Sequence, residues 1–172
     1  MYLKKLNFLS LLVLSFSFVF LASCNKDDED NTNLDAGIIP GQGIAAIKLG
    51  DTGQDVFDAF GSTADSHFSF GNDYFHFLIY FGEGLTFYLE PNDSETLDLT
   101  KKVASMDIYA PFSGTTAEGI GIGSTMAEVK AAYGEPDSED VFLGVAEHTY
   151  NEGMVIEYDE QENDIVTKIS IN

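Results

Sequence analysis

Three histidines, one cysteine and a glycine-rich loop are the residues of this 172-residue chain whose types could do chemistry. The loop, "GIGIGSTMAEVKAAYG" from Gly119 to Gly134, begins as a phosphate-cradling loop would and runs into a helix-like segment. A dinucleotide fingerprint, however, needs glycine where Ser124 stands, and a Walker loop needs a Gly-Lys-Ser/Thr ending that the sequence lacks. No G-x-S-x-G elbow occurs. His67, His76 and His148 have no helical three- or four-residue spacing that would bring two imidazoles onto one metal, and His76 and His148 are each expected to be a satisfied strand residue. The carboxylates of "PNDSETLD" and "DEQEND" could wrap calcium, but neither follows the D-x-[DN]-x-[DN]-G loop. The expectation is therefore a protein that is not an enzyme and takes no cofactor or metal.

Cys24 points to a different chemistry. Lys4 and Lys5 precede a nearly continuous apolar run, Leu6 to Leu21, too short for the roughly 20 residues a spanning helix needs. It ends at "LASC", so residues 1–23 read as an export signal. "LASC" resembles the lipobox of bacterial lipoproteins, which implies a diacylglycerol on Cys24, cleavage before it and further acyl chains. Anchoring then follows, since each buried methylene contributes about 0.8 kcal/mol and stable attachment takes more than one chain. Residues 24–43 are expected to be an acidic, flexible tether, with "CNKDDEDN" offering nothing for a core to bury. Lysine followed by acids after the cysteine resembles the surface-export tag of lipoproteins in one large phylum of Gram-negative bacteria. That implies an outer-membrane protein exposed at the cell surface, or otherwise one on the periplasmic face.

Charge excludes one class of partner. Losing Lys4 and Lys5 leaves 6 basic against 29 acidic residues and no arginine, a formal charge of −23. Nucleic acid binding depends on clustered lysine and arginine, so it is not expected. With a single cysteine no disulfide can form within the chain, and the fold rests on its apolar core.

The elements that must position any site come as an internal repeat. "IKLGDTGQDVFDAFG" from Ile47 aligns without a gap to "IGIGSTMAEVKAAYG" from Ile120. Gly50 meets Gly123, Thr52 meets Thr125, Val56 meets Val129 and Gly61 meets Gly134. "GEGLTFYLE" answers "NEGMVIEYD", and "KVASMDIY" answers "IVTKISIN". Thr52 with Asp55, and Thr125 with Glu128, have capping-box spacing, which predicts two short helices closed by Gly61 and Gly134. Alternation in Leu85, Phe87, Leu89 and in Met154, Ile156, Tyr158 predicts strands. The expected fold is α+β: repeat 1 over 44–112 and repeat 2 over 113–172. Each would be a short helix followed by an antiparallel three- to four-stranded meander, the sheets packed into one curved surface with helices on one side.

A "G-[ST]-x-x-E-V…[FY]-G-x-P" helix before a meander resembles the small SmpA/OmlA-type outer-membrane lipoproteins. Two tandem copies resemble the β-lactamase inhibitor protein arrangement, which implies a sheet surface turned towards a partner. The stretch suited to that role is "HFSFGNDYFHFLIYF", whose aromatics cannot all lie on one face of a strand. Phe68, Phe70, Tyr74, Phe75, Phe77 and Tyr80 are the candidate partner surface, against much less aromatic "FLGVAEHTY" in the second copy. The functional expectation is a lipid-anchored envelope protein that binds another envelope protein as a scaffold, assembly factor or inhibitor. The alternative is a cell-surface binder of a glycan, peptide or cation.

Overall fold

A computed structural model describes residues 37–63, 65–159 and 164–172. The signal segment, Cys24 and the tether up to Ala36 lie outside the described residues, as does most of "DEQEND". The chain opens with a small hairpin, β1 (Ile38–Ile39) and β2 (Gly43–Ile44). Then come α1 (Gly53–Phe60), β3 (Asp65–Phe70), β4 (Asp73–Tyr80), β5 (Leu85–Leu89) and β6 (Val103–Tyr109). A second series follows: α2 (Met126–Tyr133), β7 (Ser138–Phe142), β8 (Val145–Tyr150), β9 (Met154–Asp159) and β10 (Ile165–Ile171).

The eight strands from β3 onward form one antiparallel sheet in the order β3-β4-β5-β6-β10-β9-β8-β7. This corrects the expected fold class. Among the described residues the protein is mostly β, 45% strand and 12% helix, rather than an α+β repeat protein. The physical reason lies at the middle of the sheet. Instead of leaving two sheets to pack on each other, β6 pairs with β10, placing Ile108 opposite Ile169 and Met106 opposite Ile171. Backbone hydrogen bonding continues across that seam. The helices, at eight residues each, are too short to form a layer of their own.

Both helices nevertheless start for the reason read from sequence. The Thr52 amide donates to Asp55 Oδ2 at 2.8 Å while Thr52 Oγ1 accepts from the Asp55 amide at 3.2 Å. Thr125 and Glu128 repeat the exchange at 2.8 and 3.3 Å. Each cap satisfies amides left without a partner in the first turn and contributes about 1 kcal/mol. The caps also hold the Asp55 and Glu128 carboxyls below their ordinary range. Gly61 and Gly134 close the helices at φ of 80° and 84°.

One face of the sheet is covered. Leu78, Leu85, Phe87, Met106, Ile156 and Ile169 are buried on it, together with Val56 from α1 and Val129 from α2. Residues 37–43, expected to end a tether, belong to this layer: Ile38 is buried and its amide donates to the Thr115 carbonyl at 2.9 Å. Among the described residues no helix is long and apolar enough to cross a membrane.

Candidate functional site

Because side chains alternate and directly opposed residues share a face, the register assigns every strand residue to the covered or the open side. Phe68 opposes Phe75, Phe77 opposes Tyr88, and Ser105 opposes Tyr88 from the other side. All of these lie on the open side. The Phe68 and Phe75 rings stack at 5.0 Å with an interplanar angle of 8°, and Phe77 sits 6.2 Å from Phe68 and 5.8 Å from Tyr88. Phe68 is 54% exposed and Phe70, two residues on, 77%.

Four of the six expected surface residues therefore form an uncovered aromatic strip: Phe68, Phe70, Phe75 and Phe77. Tyr74 and Tyr80 do not belong to it, because even-numbered residues of β4 point to the covered side. Tyr80 is buried and donates from its hydroxyl to the Gly61 carbonyl at 2.6 Å, closing the end of α1 onto the sheet. Tyr74 is half-buried, its backbone paired with Asn92. Tyr88 was missed by reading the aromatic stretch alone, although the alternation of "LTFYL" already placed it opposite in face to Phe87. A second apolar end, Phe142 and Val145, stands on the same open side at the far edge, beside the exposed Leu143 of the β7–β8 turn.

Between the two apolar ends the open side is polar. Asp107 accepts from the Tyr88 hydroxyl at 2.8 Å and from Ser170 Oγ at 2.6 Å. Burial, and then the Asp107 carboxylate, push the Tyr88 phenol up. Lys168 pairs with Glu157 on β9. Burial alone would depress that ammonium, but the Glu157 bond and the charges of Asp107 and Glu147 hold it above its ordinary value. The strip thus reads aromatic, acidic with one cation, then a mixed apolar end of Phe142 and Val145.

The glycine-rich loop is wired into the backbone. The amides of Gly119, Gly123 and Met126 donate to the carbonyls of Thr116, Val166 and Asp164, each at 2.9 Å. The Gly121 amide donates to Ser124 Oγ at 3.1 Å. The donors a phosphate would require are spent, Gly119 and Gly121 within the loop itself and Gly123 and Met126 in holding the start of α2 to the β10 segment.

Histidines lie on the covered side, where hairpin register overrides sequence spacing. His67 on β3 directly opposes His76 on β4, and together with Asp65 they form a group whose potential ligand atoms lie within 4.8 Å of one another. The matching position of the second series pairs Glu139 with His148. His148 is buried, 4.8 Å from the Tyr158 ring, and its Nδ1 has no hydrogen-bond partner among the described residues. Burial holds its pKa below the ordinary histidine value against the opposing pull of Glu139.

A native pKa below the unfolded one means that the unfolded chain binds more protons between the two values. His148 should therefore contribute stability that is present above about pH 6.5 and is lost as pH falls through its folded pKa. Denaturant titrations of wild type and His148→Gln at pH 7.5 and 5.5 check this: wild type should lose more stability on acidification than the variant. Equal losses would assign the acid sensitivity to other groups.

The site is thus the open side of a half-covered antiparallel sheet. No protein-family model and no curated protein matches the sequence. Solved structures similar to it include two of known source. One is an uncharacterised protein, yfeY, from Escherichia coli, at a TM-score of 0.50 and 12% identity, over 78% of this chain and 99% of that one. The other is a cysteine-rich secretory protein from Staphylococcus aureus subsp. aureus Mu50, at a TM-score of 0.43 and 13% identity; 81% of this chain aligns with 48% of that one. At such identity the first likeness concerns the fold alone.

Proposed function

We propose that the chain is a lipid-anchored envelope protein, attached through Cys24 at the outer membrane and displayed at the cell surface. On this reading the open side of its sheet binds a protein partner without catalysis. The observation that carries the reading is the stacked strip of Phe68, Phe75 and Phe77 beside exposed Phe70, which nothing in the described fold covers. Exposed aromatic clusters of this kind mark interaction surfaces, and a few such rings dominate binding energy. The acidic excess of the neighbouring open side, Asp107, Glu147 and Glu157 against the one cation Lys168, sets the partner's chemistry: an apolar anchor flanked by lysine or arginine.

Pairwise capture by crosslinking from intact cells tests this with wild type and a Phe75→Ala, Phe77→Ala variant. The expected result is at least about a thirtyfold loss of the captured partner, corresponding to roughly 1–2 kcal/mol per truncated ring over two rings. Both rings are only half-buried, so the melting temperature of the variant should stay close to wild type. Capture should weaken further in high salt, where charge complementarity is screened. Unchanged capture by the variant would overturn the assignment of this face. Capture of glycan by a protein-depleted surface fraction would favour the saccharide alternative. Cys24→Ser should abolish incorporation of labelled fatty acid, and continued labelling would refute the anchor.

A further inference from the structure

On the covered side of the β3–β4 hairpin, we propose a binding site for a divalent transition-metal ion, with Asp65, His67 and His76 as ligands. Zinc is the reference ion. The inference stands apart from the partner face, which is on the other side of the sheet.

The argument starts from hydrogen-bond inventory. His76 is buried, with Nε2 3.1 Å from the Ser94 carbonyl and Nδ1 2.9 Å from Asp65 Oδ1. Both neighbours are acceptors, whereas a neutral imidazole carries one N–H. With that proton on Nε2, facing a carbonyl that can only accept, the Nδ1 lone pair meets a carboxylate lone pair. A positive charge at Nδ1 resolves the conflict, supplied either by a second ring proton or by a metal ion held jointly with Asp65. His67 repeats the arrangement across the hairpin. Its Nδ1 lies 3.5 Å from the other oxygen, Asp65 Oδ2, and its Nε2 lies 3.6 Å from Glu95 Oε1. Two Nδ1 atoms thus converge on one carboxylate, while the outer nitrogens face a backbone carbonyl and a second carboxylate. That is the pattern by which outer partners fix the tautomer and orientation of metal-bound histidines.

Distances suit the ion. Tetrahedral bonds of about 2.0–2.2 Å set neighbouring ligand atoms about 3.3–3.6 Å apart. The separations around Asp65 are 2.9 and 3.5 Å and the whole set lies within 4.8 Å, so side-chain adjustments of about an ångström bring the three ligands onto one ion. Two imidazoles and a carboxylate select a transition ion over calcium or magnesium, whose ligands are oxygens. Three protein ligands leave a position open, and the part-exposed His67 and Asp65 side chains give access to it.

The second series supplies the contrast. There Glu139 replaces His67 at the position opposite the histidine, and Lys130 Nζ neutralises Glu139 and Glu135 at 2.9 Å each. No lysine pairs with Asp65 among the described residues; only imidazoles face it. The loop carrying Ser94 and Glu95 is itself held in place: the Ser94 amide donates to Asn92 Oδ1 at 2.8 Å, and Asn92 pairs with the Tyr74 backbone.

The test is titration of zinc chloride into the chelator-stripped full-length chain, read by calorimetry and by thermal melting, with cobalt(II) absorption reporting coordination. One equivalent should bind and raise the melting midpoint, since a ligand selective for the native state stabilises it. Visible bands of low-coordinate cobalt should appear in parallel. His67→Ala, at a part-exposed position that should fold, should weaken binding more than about 100-fold, and Glu95→Gln about tenfold. His148→Gln should leave it unchanged. The proposal is overturned if zinc fails to bind at micromolar concentration, or if His67→Ala binds as tightly as wild type, which would place the ion elsewhere on the acidic surface.

Discussion

Truncating Phe87 to alanine should cost about 3–5 kcal/mol in denaturant unfolding, as for other buried phenylalanines. Phe87 has no exposed surface and stands near the centre of the first half-sheet, opposite Leu78 on β4 and Met106 on β6. Its ring touches two others: Phe60 at the end of α1, at 5.7 Å, and Tyr80 edge-on at 6.0 Å. Phe60 and Tyr80 are themselves 5.4 Å apart, so the three rings form a cluster that fastens α1 to the sheet. Removing the central ring leaves a cavity with aromatic walls that cannot collapse without moving the helix. The effect should therefore be visible beyond the midpoint: amide exchange should accelerate in α1 more than in α2, whose own anchor pairs Tyr133 with Tyr150 at 6.0 Å. A loss below about 1 kcal/mol would mean that the cluster adds little beyond the sheet's own packing.

The second large effect is expected at Gly84, in the turn between β4 and β5. Its φ is +72°, and a Cβ there would lie 2.1 Å from the Tyr109 carbonyl oxygen and 2.8 Å from the Phe112 nitrogen. Both atoms are backbone, so no side chain can swing away. The same Tyr109 donates its amide to the Gly84 carbonyl at 2.9 Å, tying the turn to the end of β6. Gly84→Ala thus combines left-handed strain of about 1–2 kcal/mol with a clash that must displace a strand end, a total on the order of 3–5 kcal/mol. Gly71→Ala separates the two terms. Gly71 has a similar φ of +66° with open space where the Cβ would be, so its loss should stay near the strain alone. Equal losses at the two glycines, measured by denaturant midpoint, would show that the backbone contact is relieved without cost.

Local features carried through from sequence to structure because neighbouring residues enforce them. Thr52 and Asp55 form their capping box within four residues, and Thr125 and Glu128 do the same, so each helix start needs no distant partner. Alternation in β9 likewise put Met154, Ile156 and Tyr158 inward. Faces were harder to read where aromatics crowd. Adjacent Tyr74 and Phe75 must part to opposite sides, yet only the burial of Leu78 and Tyr80 decides which side is covered. That is why two of six expected surface residues, Tyr74 and Tyr80, fell on the core side.

The metal group shows the same division. His67 and His76 are nine positions apart, a spacing without meaning on a helix. A two-residue turn, Gly71-Asn72, between Phe70 and Asp73 makes them direct partners. That Gly-Asn pair is a hairpin signal, so the juxtaposition was available to a reading that placed the turn first. Ser94 and Glu95 were not available: they arrive through a loop whose path depends on Asn92 pairing with Tyr74.

By itself, then, the sequence determined the capped helices, the strand alternation and the acidic balance, all properties of residues close along the chain. Tertiary structure decided that the strands share one sheet. The β6–β10 seam joins residues some sixty positions apart, and such a pairing is selected by the total burial of two apolar faces rather than by any local motif.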